Sequence, residues 1–292
     1  MALLAPVRAD GLLLRLAPGV EPAALRSVLA DLERANAAGL DACLKWGIAS
    51  AVCRSRLATP AGEVEVAAKL FRYRGLRGAL SDLLRGSKAA RALRGYERVA
   101  AADLPTAEPL AIAERRRGGL VVESWLVTRF LPGARELPRV VEERREDRSG
   151  TLRLARAVGD LVGRLHAAGI DHPDLKHLNI LVGAGEELFL LDLDALVPAR
   201  PLTWRRRVRA LGQLEAYAAR DYPWAGPALR RAFLRAYLAR NPALRPQRRA
   251  LLEDARAWAE ARLEHWRRKA ARAARAQARF EAAQARREGA RS

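Results

Sequence analysis

Three side chains in the second half of the sequence are spaced to act together on one reaction. Asp174 and Asn179 lie five residues apart in the stretch HPDLKHLNILV (172–182), and Asp192 follows eighteen residues after Asp174, in LFLLDLDALV. The polar half of the first stretch is too rich for a buried strand, and its apolar half is too short for a helix. The pattern predicts a loop that returns at once to the core. Two acids and an amide held on loops beside strands suit phosphoryl transfer. Asp174 can orient or deprotonate a hydroxyl. Asn179 and Asp192 can hold Mg²⁺ on a nucleotide's phosphates, because that cation takes oxygen ligands and keeps several waters. The run "NILV" then anchors the loop as a buried strand and holds the geometry that such chemistry demands. Asp194 is a competing acid, on the opposite face if its strand continues. A turn with capping acids and a satisfied His172 is the plain alternative, and it leaves Asn179 and Asp192 in register for no reason.

The elements that must position these residues are legible in outline. PAALRSVLADLERAN (22–36) has Pro at its start and Leu25, Val28, Leu29 and Leu32 at helical spacing, so it predicts a helix. AVCRSRL and EVEVAAKLF alternate around the turn ATPAG and predict a hairpin. Residues 81–102 read as a helix that DLPTAEPL breaks, LVVESWLVTRFL as a strand and PGARELP as a linker. LRLARAVGDLVGRLHAAG puts Leu154, Val158, Leu161, Val162 and Leu165 on one helix face and ends on Gly169, a good cap residue. ELFLLDLDALV reads as one short strand, and 207–240 as helix. The last fifty residues read as a long basic helix with Leu252, Ala255, Trp258, Leu263 and Trp266 on a shared face. The organisation expected is α+β: an N-terminal helical extension over 1–40, a strand-rich lobe over 41–131, a helical lobe over 132–240 and a basic tail over 241–292.

The chain has 292 residues and a net charge of +20. That balance favours anionic partners. Nearly all the basic residues are Arg, which also reads as drift in composition. Only five lysines remain (Lys45, Lys69, Lys88, Lys176 and Lys269). A lysine kept where Arg is the default points to a need for its compact ammonium. Cys43 and Cys53 form no metal-ligand or redox spacing. No stretch approaches the ~20 apolar residues that span a bilayer. Arg8 and Asp10 interrupt the N-terminal apolar run, which makes it a poor secretion signal. A cytoplasmic protein is expected.

His172, Asp174, Leu175, Asn179 and the later LLDLD resemble the catalytic loop of the protein-kinase-like fold, with its acid–amide and acid–acid spacings. The resemblance implies two lobes, a small antiparallel sheet followed by a mainly helical lobe. It puts Lys176 where Ser/Thr protein kinases carry a phosphate-contacting lysine. Lys69, after the alternating strand GEVEVAAKLF, stands where such folds carry a nucleotide-binding lysine on the third strand. WGIASAV replaces the glycine-rich loop, with Gly47, Ser50 and Val52 as nucleotide contacts, and departs from the three-glycine pattern. The position expected to supply an acid to Lys69 is Ala92; Glu97 is the one acid inside that helix, five residues later, and Asp82 precedes it.

Further stretches narrow the likeness. KLFRYRG, DLPTAEPLA and TRFLPG, over a span of roughly residues 44–240, resemble bacterial lipopolysaccharide-core kinases that phosphorylate Kdo or heptose. That family implies ATP, Mg²⁺, a lipid-linked sugar acceptor and work at the inner face of the cytoplasmic membrane, where an anionic surface is a further partner for the basic tail. No specific nucleic-acid partner is expected. Two other readings stay open: a protein or small-molecule phosphotransferase of the same fold, and a catalytically impaired binder of anionic surfaces. PARPLTWRRR leads straight into helices with no activation-loop pattern, which counts against a regulated protein kinase.

Overall fold

The computed structural model describes residues 3–39, 43–72, 82, 85–198 and 201–289. Strands β1 (Val7–Ala9), β2 (Leu12–Leu16), β3 (Lys45–Trp46), β4 (Ser50–Thr59), β5 (Gly62–Arg72), β6 (Pro109–Arg117) and β7 (Leu120–Arg129) form one antiparallel sheet, in the order β1-β2-β6-β7-β5-β4-β3. Alternation along β4 buries Ala51, Cys53, Ser55 and Leu57, and β5 answers with Val66, Ala68 and Leu70. Helix α1 (Pro22–Ala38) packs on β4 and β5. It buries Leu25, Val28, Leu29 and Leu32, each contributing about 1.5–3 kcal/mol. Helix α2 (Lys88–Ala101) packs on β6 and β7; Ser87 caps it by accepting from the Ala90 amide at 3.0 Å.

The helical lobe follows. Strand β8 (Arg135–Glu136) precedes α3 (Leu137–Glu143) and α4 (Arg148–Ala167). Strand β9 (Ile170–Asp171) and a 3-10 turn (His177–Asn179) lead to the hairpin of β10 (Ile180–Val182) and β11 (Leu188–Leu190). A second 3-10 turn (Leu193–Ala195) precedes β12 (Val197–Pro198), then α5 (Trp204–Asp221), α6 (Pro227–Arg240) and α7 (Arg248–Gly289). Helix α4 packs on α6, and α5 packs on α7. The five residues predicted on one face of α4 are all buried.

Four expectations change. The first forty residues are not a helical extension, because β1 and β2 pair with each other and β2 pairs with β6, Leu12 opposite Arg115; this short hairpin lacked a long alternation to announce it. The segment 187–197 is not one strand: it breaks at Asp192, whose backbone is left-handed at φ 58° and ψ 49°. The helix over 207–240 divides at Tyr222–Gly226, where Pro223 and Pro227 interrupt it. The helix over 81–102 breaks at Gly86 and Ser87, with Asp82 and Arg85 helical before the break and Lys88–Ala101 after it, and most of 73–84, with the YRG of KLFRYRG, lies outside the described residues. The basic helix is part lobe and part tail. Leu251, Ala255 and Ala259 are buried against α5, while residues 269–279 are exposed; the side chain of Phe280 lies outside the described residues.

A buried polar network ties α4, α5 and α6 together. His166 Nδ1 meets the Tyr237 hydroxyl at 3.0 Å, and that hydroxyl also accepts from Arg207 at 3.0 Å. Arg207 donates as well to Asn241 at 2.9 Å. Burial pulls the His166 pKa from 6.5 to about 3. The unfolded chain therefore binds a proton that the folded chain refuses, and stability falls as the pH drops below 6.5. At about pH 5 the loss from this ring alone is about 2 kcal/mol. Burial lowers His172 and His177 in the same direction. His166→Gln should therefore shrink the fall in thermal unfolding midpoint between about pH 7 and about pH 5. An unchanged fall would place the acid sensitivity elsewhere.

Candidate active site

The β10–β11 hairpin brings the two predicted acids together. Ile180 pairs with Leu190 and Val182 with Leu188, and the buried Ile180 and Val182 seat the hairpin in the core. At its base the Leu191 amide donates to the Asn179 carbonyl at 2.9 Å. The Leu191 carbonyl accepts from His172 Nε2 at 3.1 Å, which fixes the tautomer with the proton on Nε2. Burial pushes the His172 pKa down, so the ring stays neutral and serves as a strut between the two loops. Its role is to hold backbone rather than to carry a proton.

Asp174 presents a half-exposed carboxylate ringed by donors. Lys176 Nζ donates to its Oδ2 at 2.6 Å, and Asn179 Nδ2 reaches the same oxygen at 3.3 Å. Asn179 Nδ2 also donates to the Asp174 carbonyl at 2.9 Å. With its nitrogen so engaged, the amide oxygen of Asn179 is the atom left to face a cation. On Oδ1, Gln213 Nε2 of α5 donates at 3.1 Å.

Asp192 is paired with Lys69 of β5, whereas the sequence reading looked for the partner of that lysine in the following helix. Burial works against ionisation of Asp192, but Lys69 outweighs it, with Lys45 and Lys176 adding, and holds the carboxyl below its usual range. Asp194, two residues on, is pushed up by burial and by Asp192 beside it. Of the two acids, Asp192 is the one whose surroundings favour the charged form. Among the described residues no cluster of three His, Cys, Asp or Glu is placed to hold a metal. The donor set is instead one carboxylate and one amide oxygen. Those are hard ligands that suit Mg²⁺ sharing its shell with phosphates and water.

The remaining predicted residues divide. Val52 stands opposite Lys69 in the β4–β5 ladder, on the same local patch of sheet. Gly47 and Ser50 flank the short turn between β3 and β4. Arg72 donates to the Gly47 carbonyl at 2.8 Å and the Ile48 carbonyl at 3.3 Å, and also meets Asn36 at the end of α1. An arginine thus braces a turn that has one glycine. Glu97 is exposed on α2, and Lys69 meets Asp192 instead. Ala92 is buried and offers no acid. Asp82 accepts from Arg91 at 2.6 Å. Helix α2 still touches the turn that follows Asp192, through backbone: a Cβ on Gly95 would lie 2.2 Å from the Leu193 carbonyl oxygen.

Three features escaped the sequence reading. Asp171, buried on β9, accepts from Arg209 at 2.7 Å on both oxygens and lies 3.3 Å from Arg206. His177 Nε2 lies 3.1 Å from Asp221 and packs edge-on against Tyr217 and Tyr222. Gln213 is the third. Asp171 is an acid beside an apolar turn and could have raised the question; Gln213 reads as an ordinary helix residue. A cavity of about 690 Å³ between α4, α5, α6 and α7, walled by Leu154, Val158, Leu211, Leu234, Leu252 and Leu263, reaches His177 in the catalytic loop.

Comparison with known proteins bears on these assignments. The family model described as "Lipopolysaccharide kinase (Kdo/WaaP) family" matches residues 75–237. A 3-deoxy-D-manno-octulosonic acid kinase of Xanthomonas oryzae pv. oryzae is 50% identical over 52 residues, 18% of this chain and 21% of its own length. That of Xanthomonas axonopodis pv. citri is 36% identical over 105 residues, 36% of this chain and 40% of its own. The chain thus spans between a fifth and two fifths of the length of these curated relatives. A solved structure, "WaaP in complex with acyl carrier protein", superposes with a TM-score of 0.56 at 22% identity, covering 86% of this chain and 98% of that one. That likeness is one of fold, a kinase-like pair of lobes.

The pairing of Lys69 with Asp192 predicts the effect of a conservative change. Lys69→Arg keeps the charge but replaces a compact ammonium with a wide planar fork. It should lower ATP turnover about tenfold or more and weaken nucleotide binding, read by titration with ATP and Mg²⁺. Full activity would move the phosphate contact to another residue, with Lys45 next.

Proposed function

Because the chain belongs to the lipopolysaccharide kinase (Kdo/WaaP) family, we propose that it transfers the γ-phosphoryl group of ATP to a sugar hydroxyl in the lipopolysaccharide core. The observation that carries the reading is that Lys69 pairs with Asp192 while Lys176, which acts on that same acid, pairs with Asp174 beside Asn179. In this reading Asp174 takes the proton of the acceptor hydroxyl. The freed oxygen bonds to the γ-phosphorus as the bond from phosphorus to the β–γ bridging oxygen breaks, and ADP leaves. Lys69 holds nucleotide phosphate, and Lys176 lies beside the transferring group. Asn179 and Asp192 would hold Mg²⁺, which when bound offsets the charge of the phosphates.

Within the family, an acid sugar of the Kdo type is the acceptor we favour over heptose, because the curated relatives carry that activity in their names. The apolar cavity reaching His177 has the size and walls of a site for an apolar ligand. It supports an acceptor borne on a lipid. The solved relative is a complex with acyl carrier protein, and an acyl carrier is the protein partner we propose for this chain. That the partner acid of Lys69 is Asp192, in place of a helix glutamate, favours one other reading, an impaired kinase-like binder. A binder would take up nucleotide without turning over any acceptor.

The direct test offers labelled ATP and Mg²⁺ with Kdo-lipid, heptosylated core and a generic protein. Transfer to Kdo-lipid is expected. Asp174→Asn should keep nucleotide affinity and lose about 10²–10⁴-fold in turnover. Transfer to protein alone, or to nothing, would refute the reading, as would near-parental turnover in that variant.

No described helix is long and apolar enough to cross a membrane. We propose instead that the basic end of α7, exposed over residues 267–279, meets an anionic leaflet, where each basic residue adds about 1 kcal/mol that salt weakens. This would set the protein at the inner face of the cytoplasmic membrane. Removing residues 270–292 should leave ATP binding intact and lower binding to anionic vesicles several-fold at low salt. Unchanged vesicle binding would reduce that stretch to a solvated helix.

A further inference from the structure

We propose that Gln213 is a positioning residue for Asp174, and that it selects Oδ1 as the oxygen that receives the acceptor's proton. The inference deepens the phosphotransfer reading above and rests on it for the identity of the proton donor.

A carboxylate has about four lone-pair directions, two on each oxygen. On Asp174, Oδ2 already accepts from Lys176 at 2.6 Å and Asn179 at 3.3 Å, so both of its directions are in use. Oδ1 accepts from Gln213 Nε2 at 3.1 Å. One direction on Oδ1 remains, and that is where an acceptor O–H can dock. Rotation of an aspartate about its terminal torsion is soft and nearly two-fold, so a carboxylate without a donor on Oδ1 would sweep its lone pairs across a broad arc. The Gln213 amide pins that torsion from the side that the loop's own residues do not reach.

The donor is itself rigidly held. Lys176 and Asn179 belong to the same loop as Asp174 and move with it, whereas Gln213 is 39 residues on, in α5. Its side chain is 4% exposed. One turn earlier on the same helix face, Arg209 grips Asp171 on both oxygens, three residues before Asp174. Helix α5 therefore holds the loop at two points. On its other side α5 is pressed against α7: a Cβ on Gly212 would lie 2.7 Å from the Ala255 carbonyl oxygen and 2.9 Å from the Trp258 ring. Gln213 thus refers the base to the helical core and not to the loop. Its amide is neutral, so it orients Asp174 without adding a cation to a neighbourhood where Lys69, Lys45 and Lys176 already act on Asp192.

The test replaces Gln213 and reads both transfer and the Asp174 carboxyl. Gln213→Met keeps the volume and removes the donor. It should lower kcat about 10- to 100-fold, with KM for ATP within about threefold, because a hydrogen bond to a charged group acting at the reacting atom is lost. Gln213→Glu keeps the length but turns an acceptor toward Oδ1, and should lower kcat at least as far. In protein labelled with carbon-13 at aspartate carboxyls, with Asp174 assigned by Asp174→Asn, the Asp174 resonance at one fixed neutral pH should shift in Gln213→Met relative to the parent, because its Oδ1 donor is gone. That readout needs no acceptor. If the resonance moves but the parent transfers no phosphate to any sugar offered, the phosphotransfer reading fails and the positioning stands. If the resonance stays, or if Gln213→Met keeps the parental kcat and loses only thermal stability, the positioning role is overturned.

Discussion

The site depends on the backbone of one residue, Leu191. Its amide donates to Asn179 and its carbonyl accepts from His172, so the two peptide planes that meet at its Cα tie the loop carrying Asp174 to the turn carrying Asp192. Both bonds are made where water is excluded, since His172 and Asn179 are buried. A buried donor or acceptor without its partner costs about 1–3 kcal/mol, which keeps the two loops from drifting apart. The left-handed backbone of Asp192 is set at the end of this bond, turning its carboxylate out of the strand direction and toward Lys69. Geometry and charge are thus coupled: the stitch places the acid, and the lysine keeps it ionised.

The route by which the sheet lobe reaches this stitch differs from a glutamate on the helix behind the sheet. Here Lys69 contacts the acid of the other lobe directly. Helix α2 contributes shape, with Gly95 letting it close on the Leu193 carbonyl. It also contributes apolar contact through Leu93 and Val99. Arg72 replaces glycines in bracing the turn beside the cleft, drawing on the end of α1 through Asn36. The first forty residues therefore serve the cleft, because α1 is both a cover for β4 and β5 and the anchor for that arginine.

The helical lobe is organised around α5. It holds the catalytic loop through Arg206, Arg209 and Gln213, and it is buttressed by α7, whose Ala255 and Trp258 lie against Gly212 and whose Trp266 stacks near Tyr217 and Arg220. The long helix is thus structural in its first half and solvated over residues 269–279. The same helices wall the apolar cavity, so the reactive loop and the apolar space share their supports.

Local chemistry and periodicity made much of this legible in one dimension. Asp174, Asn179 and Asp192 could be read because loop chemistry needs particular side chains at set spacings, and spacing is a property of sequence. The buried faces of α1 and α4 could be read because helical periodicity is local. The lone lysine on β5 stood out against an arginine background. What the sequence could not carry were relations between distant segments. Gln213 is one polar residue on a helix until α5 lies beside Asp174. Glu97 looked like a partner for Lys69 only because it was the acid in that helix; the face it occupies points to solvent. The β1–β2 hairpin is too short to show its period, and only pairing with β6 makes it a sheet edge. The backbone bonds of Leu191 leave no trace in side-chain identity, since any residue but proline can make them. Residue types and local spacing determined the chemistry available to this protein. Tertiary packing decided which atoms face one another, because that depends on contacts made across tens or hundreds of residues.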